Sequence, residues 1–145
     1  MSDDISDIQS YYDAAVEQED DRLERHQLER DITWRYLEKY LPPSGSVLDI
    51  GTGAGAYTLE LARRGYTVTA VDISSKLIEL CKQRVSDAGL EKSVRFIVAD
   101  ARDLSDVKDD NFDAVLLMGP LYHLVLEEDR KIVLKEALNK LKPRG

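Results

Sequence analysis

Val47-Leu48-Asp49-Ile50-Gly51-Thr52-Gly53-Ala54-Gly55 is the stretch on which the fold turns. Residues 47–50 are apolar on both alternating faces apart from one carboxylate, the pattern of a strand buried inside a parallel sheet rather than one with a wet face. They run into three glycines at alternate positions. A helical segment follows, with Leu59, Leu61 and Ala62 available for its inner face and Gly65 as its stop. Strand, glycine-rich turn and helix make a recurrent binding device: glycine lets backbone approach a ligand closely, and the first N–H groups of the helix have no partner within it.

The alternation repeats downstream. Residues 66–71 read as a second strand followed by Asp72, residues 74–88 as a helix capped by Ser74 or Ser75 and ended by Gly89, and residues 94–99 as a third strand followed by Asp100. An acidic loop over residues 103–110 leads to residues 112–118, another run apolar on both faces, which Gly119-Pro120 breaks. Residues 127–141 read as the last helix, and Lys142-Pro143-Arg144-Gly145 closes the chain. Strands alternating with helices predict an α/β fold with a parallel sheet.

Upstream, residues 3–41 read as helical. Ile5, Ile8, Tyr11 or Tyr12 and Ala15 form one stripe; Leu28, Ile32, Tyr36 or Leu37, and Tyr40 or Leu41 form a second, ended by Pro42-Pro43-Ser44-Gly45. The expected organisation is one domain: an N-terminal helical cap or lid segment, residues 1–45, joined to a core, residues 46–145.

Composition agrees with one soluble globule. The 145 residues are 43% hydrophobic and 33% charged, enough for a single core and too little biased for disorder. No apolar run approaches the roughly 18 residues of a membrane span, and Met1-Ser2-Asp3-Asp4 lacks the basic-then-apolar start of a secretory signal, so the expected location is the cytoplasm, with no membrane partner. A single cysteine, Cys81, excludes an internal disulfide and a multi-cysteine metal site, and two histidines leave little for any other cluster; no metal is expected. The net charge of -8 is uneven: residues 1–45 hold five Lys/Arg against twelve Asp/Glu, and residues 46–145 fifteen against sixteen. Such a chain repels phosphate backbones at long range, which points to a small molecule or a protein before a nucleic acid.

Asp49 is the informative departure from apolar patterning, because Val or Ile would suit a purely structural position two residues before the first glycine. Together with Asp72 and Asp100 it puts three carboxylates toward the carboxyl ends of neighbouring strands, where open α/β sheets bind ligands. Read as Gly51-x-Gly53-x-x-Ala56 with Asp72 following, the stretch also fits a dinucleotide fingerprint, so an NAD-dependent oxidoreductase cofactor domain stays open. That much negative charge repels a pyrophosphate; it attracts a ligand with a ribose, a base and a positive centre.

At these residues the chain resembles the class I S-adenosylmethionine-dependent methyltransferases, in the type 11 or UbiE-like branch. The resemblance runs from about Tyr11 to the end. It is carried by the 47–55 block, Val71-Asp72-Ile73-Ser74, Ala99-Asp100-Ala101, Phe112-Asp113 with Gly119-Pro120-Leu121-Tyr122-His123 behind it, and Leu141-Lys142-Pro143. It implies a Rossmann-like open parallel sheet in the order 3-2-1-4 with helices on both faces, and a cytoplasmic enzyme moving a methyl group from S-adenosylmethionine to a small-molecule acceptor, with S-adenosylhomocysteine as product. By the same resemblance Gly51, Thr52, Gly53 and Gly55 form the turn beside the methionine portion and ribose, and Asp49 helps hold the amino end. Asp72 accepts both ribose hydroxyls, Ile73 presses on one adenine face, Asp100 accepts from the adenine amino group and Ala101 offers backbone to the ring. Met118 and Gly119 line the channel near the methyl, and Tyr11 and Tyr12 form a lid. Tyr122 and His123 are the catalytic candidates on the substrate side, His123 as a base.

Each residue also has a plainer reading. Asp72 and Asp100 end strands or cap helices; Tyr11 and Tyr12 pack in a core; Arg22, Arg25 and His26 form a solvated ion-pair face; His123 is a pocket wall; Cys81, among Leu77, Ile78 and Leu80, is a small buried hydrophobe. The resemblance further implies a strand and an antiparallel hairpin after the Lys-Pro turn, with glycine where Arg144 stands. Without them, a non-catalytic cofactor-binding fragment is a further alternative, and the fourth strand is an exposed edge: either the chain is a fragment of a longer protein, or a second copy covers that edge in a homo-oligomer.

Overall fold

The computed structural model describes residues 27–118 and 124–145. Strands β1 (Ser46–Ile50), β2 (Thr67–Asp72), β3 (Val94–Val98) and β4 (Ala114–Leu117) form one parallel sheet in the order β3-β2-β1-β4. The expected order is therefore the observed one. Helices α1 (Gln27–Tyr40), α2 (Ala56–Arg63), α3 (Ser75–Asp87) and α4 (Glu127–Lys140) flank it, with a short 3-10 turn (Glu91–Ser93) before β3. Successive crossovers walk outward from β1 to β3, and the chain then returns to β4 on the other side of β1. The order reverses between β1 and β4, and at such a point an open sheet leaves a crevice at its carboxyl edge.

Strand parity assigns the two faces. Val47, Val68, Ala70 and Leu116 pack with Leu61 and Ala62 of α2 and Cys81 and Val85 of α3. Leu48, Ile50 and Val71 pack on the opposite face with Leu104, Val107, Phe112 and Ala137. The acidic stretch between β3 and β4 is thus more than a solvated connection. Its two apolar residues are buried, and α4 holds it through the Glu136 carboxylate, which accepts from Leu104 N (3.3 Å), and Lys140 Nζ, which donates to Val107 O (2.7 Å).

Three expectations need correction. On α1 the inward face is Trp34 and Leu37, continued by Leu41, while Leu28, Ile32, Tyr36 and Tyr40 are exposed. Two apolar stripes compete on this helix. The winner is set by Trp34, whose ring lies 5.6 Å from that of Tyr57 and 4.5 Å beneath the Arg64 guanidinium. The last strand spans Ala114–Leu117, because Phe112 instead pairs with the end of α4: its N–H donates to Lys140 O (2.9 Å) and its carbonyl accepts from Lys142 N (3.0 Å). Of that strand only Leu116 is buried, since β4 is an outer strand of the sheet. Smaller differences are one-residue shifts at strand and helix ends, where hydrogen bonding frays. Arg144 has φ +67°, the left-handed region a glycine occupies without strain.

Among the described residues no helix is long and apolar enough to cross a membrane.

Candidate functional site

The turn after β1 is fastened to the end of β2. Gly51 N and Thr52 N both donate to Val71 O (2.7 and 2.9 Å), and Gly55 N donates to Thr52 O (3.0 Å). This brings the turn alongside Asp72. Gly53 has φ +58°, and a Cβ built there would meet none of the described residues within 4 Å, so among them the backbone at this point borders open space. Gly55, at φ +91°, is the N-cap of α2 and supplies no side-chain cap. The first N–H groups of the helix are left for something other than a capping side chain.

Asp72 is buried, and both of its oxygens are engaged: Oδ2 accepts from Gly53 N (2.8 Å) and Oδ1 from Ser74 N (2.9 Å). One carboxylate therefore ties the glycine turn to the start of α3, which Ser74 caps by accepting from Leu77 N (3.2 Å). Of the two expected caps, Ser74 or Ser75, the observed one is Ser74.

Asp49 points to the same face of the sheet as Val47, into the α2–α3 layer, and is 3% exposed. Thr58 of α2 donates its hydroxyl proton to Asp49 Oδ2 (2.8 Å), and Thr52 Oγ1 lies 2.8 Å from Thr58 Oγ1. Burial drives the Asp49 carboxyl up to about 6 against an ordinary 3.8; the two threonine hydroxyls pull it down and the charge of Asp72 pushes it up. Asp49 and Asp72 therefore interact across the turn. Thr52 and Thr58 shape this site; a polar residue on the buried face of α2 was the sequence signal for Thr58.

Asp100 does not present free oxygens. Arg102 wraps it, donating from N (2.9 Å) to Oδ1 and from Nε (3.1 Å) and Nη2 (3.0 Å) to Oδ2, and Arg102 Nη1 lies 3.1 Å from Asp129 Oδ2 in the first turn of α4. The Asp129 contact is a buried ion pair, and among the described residues no other group reaches that oxygen. Arg102 is thus the shared cation of two carboxylates, a role signalled in the sequence only by a cation two residues after Asp100.

Ile73 and Ala101 follow the tips of β2 and β3 and are half-buried, and Met118, 37% exposed, follows β4. Tyr11, Tyr12, Arg22, Arg25, His26, Gly119, Tyr122 and His123 lie outside the described residues. Cys81 is fully buried. A second, polar cleft between α1, α2 and α3 is lined by Arg30, Arg63, Arg64 and Arg84 against Asp31, Glu38, Glu60 and Asp87, so its wall carries no net sign, and none of the three strand-tip aspartates reaches it.

The model of a methyltransferase domain family matches residues 47–145. The chain is 34% identical over 122 residues to the ubiquinone/menaquinone biosynthesis C-methyltransferase UbiE of Geotalea daltonii, covering 79% of this chain and 50% of the relative. It is 31% identical over 125 residues to the tRNA 5-carboxymethoxyuridine methyltransferase of Escherichia coli, covering 82% and 46%. Among solved structures, a SAM-dependent methyltransferase from Thiobacillus denitrificans in complex with S-adenosyl-L-homocysteine superposes with a TM-score of 0.59 at 25% identity, over 72% of this chain and 41% of that one. The chain spans about half the length of the curated relatives it matches. The nicotinamide reading finds no support in these matches.

Proposed function

The chain belongs to the class I S-adenosylmethionine-dependent methyltransferase family, and on that premise we propose that its crevice binds S-adenosylmethionine and directs methyl transfer to a small-molecule acceptor. The observation that carries this reading is the pair of buried carboxylates, Asp49 and Asp72, on either side of a glycine turn that, among the described residues, opens into free space at Gly53. The residues fit the ligand: a fixed carboxylate at a strand tip suits a diol, and an anionic surround suits a cation.

When bound, S-adenosylmethionine supplies a methyl group already activated on a positive sulfur, so the protein's share is alignment. Holding reacting groups in line is worth up to about 7–11 kcal/mol. Asp72, anchored by Gly53 and Ser74, accepts from the ribose, and Gly51, Thr52, Gly53 and Gly55 give the methionine portion its channel. Asp49 supplies the charge for the amino end. Ile73 and Ala101 flank the base, and Asp100, held by Arg102, keeps lone pairs to accept from its amino group. Met118 and Gly119 border the methyl, Tyr11 and Tyr12 within the 1–45 segment close over the cofactor, and Tyr122 and His123 stand on the acceptor side, His123 as an optional base.

The relatives named above differ in acceptor. The acidic balance of residues 1–45 favours an uncharged or cationic small molecule over a polyanion. Calorimetric titration with S-adenosylhomocysteine and with NAD tests the cofactor: the thioether is expected to bind while NAD stays silent, and the reverse would sink the proposal.

A further inference from the structure

Thr58 has no part in the roles just assigned, yet it is fully buried in the first turn of α2, where valine would fill the same space without a hydroxyl to satisfy. A threonine hydroxyl has one proton to give. That of Thr58 goes to Asp49, which leaves its oxygen to accept in the 2.8 Å contact with Thr52. Thr52 thus adjoins the Thr58–Asp49 pair from the glycine turn, and both hydroxyls favour a charged Asp49.

We propose that Thr58 is a positioning residue: its hydroxyl, adjoined by that of Thr52, holds Asp49 as a charged acceptor turned to a cationic ligand in the crevice. The proposal rests on the reading of that crevice as an S-adenosylmethionine site.

The surroundings of Asp49 give the hydroxyls their weight. Its neighbours in register are Ala70 on β2 and Leu116 on β4, neither of which carries charge. Asp72 from the end of β2 repels it, and Cys81 of α3 is neutral because burial, followed by Asp49 itself, pushes its thiol up to about 12. Thr58 from α2 and Thr52 from the turn are the groups that favour the charged form. With both in place the carboxyl loses its proton at about 6. Without Thr58 the midpoint climbs toward neutrality, and a crevice at pH 7 offers a protonated acid where a cation needs a charge. Loss of Thr58 therefore costs affinity most at low pH and least at high pH.

The test compares wild type with Thr58→Val, Thr58→Ser and Thr52→Val. The Asp49 carboxyl is titrated by carbon NMR in the free protein, and S-adenosylhomocysteine affinity is measured from pH 5.5 to 9. In Thr58→Val the midpoint should rise by about one pH unit or more, with affinity down about eightfold or more at pH 5.5, about threefold or more near pH 6.5, and equal to wild type at pH 9. Thr58→Ser should behave as wild type. Thr52→Val should move the midpoint the same way by less, and it carries the test if the Thr58→Val protein does not fold. An unmoved midpoint overturns the proposal, as does a moved midpoint with an affinity loss equal at every pH. Wild-type protein that binds no S-adenosylhomocysteine at any pH overturns the reading of the crevice itself, and the link to a ligand with it.

Discussion

The sulfur of Cys81 lies so close under Gly55 that a Cβ built on the glycine would sit 2.4 Å from it. The helix-packing residue and the glycine turn are thus in direct contact, and Gly55 also has φ +91°, where a side chain is strained. Gly55→Ala should destabilise the fold by about 1–3 kcal/mol in urea denaturation. Adding Cys81→Ala should recover part of that loss, because it removes the clash and leaves the backbone strain. Strictly additive costs would show that the contact is not the cause.

Cys81 should be chemically quiet. Its thiol is fully buried and pushed up to about 12, mainly by burial and then by the charge of Asp49, so little thiolate exists at pH 8. Iodoacetamide should label the native protein only at the rate at which α3 opens, and quickly in urea. Stoichiometric labelling of the native protein within minutes would contradict the packing described.

Asp49 should weaken the fold that it serves. A carboxyl whose folded value of about 6 exceeds an ordinary 3.8 favours the native state while protonated. Its contribution is complete below about pH 4 and is lost as pH rises through about 6. Asp49→Asn removes that dependence. Its stability relative to wild type should rise between pH 4 and 7, by at most roughly 3 kcal/mol, while cofactor affinity falls. Urea curves at several pH values decide the matter; parallel profiles would mean the carboxylate is not desolvated as described.

Asp72→Ala removes the acceptor of both Gly53 N and Ser74 N. The loss in S-adenosylhomocysteine affinity should be about 1.5–3 kcal/mol, the range for hydrogen bonds to a charged group. Unchanged affinity would take Asp72 out of the site.

Arg102→Ala leaves Asp100 and Asp129, with side chains 19% and 10% exposed, without their common cation. Destabilisation of up to about 3 kcal/mol is expected at pH 7. Arg102→Lys should rescue it poorly, since one ammonium cannot copy the forked contacts. Thermal unfolding of the two variants at pH 7 reads both effects.

The parallel sheet and the turn were legible because residues 47–50 are apolar on both faces and run into glycines, a combination with few other folded solutions. The inward face of α1 was not. Leu28, Ile32, Tyr36 and Tyr40 make as regular a stripe as Trp34, Leu37 and Leu41, and the choice depends on Tyr57 and Arg64, which lie far along the chain. Leu104 and Val107, spaced by three inside an acidic stretch, were the available sign that this loop is tucked into the core. Asp49 and Asp72 stood out as acids beside apolar strands. Arg102 and Thr58 left only faint signals, a cation two residues after Asp100 and a polar residue on the buried face of α2, because their importance lies in which partner they meet, and that is settled only by the register of β3 and the docking of α2.

The two bonds that hold the Asp72 carboxylate come from the protein's own backbone, at Gly53 and Ser74. The rotational freedom that a loose side chain would surrender on association has already been given up in folding. A nucleoside entering the crevice as proposed would meet a seat of settled shape there, with the speed of filling at this residue set by encounter rather than by rearrangement.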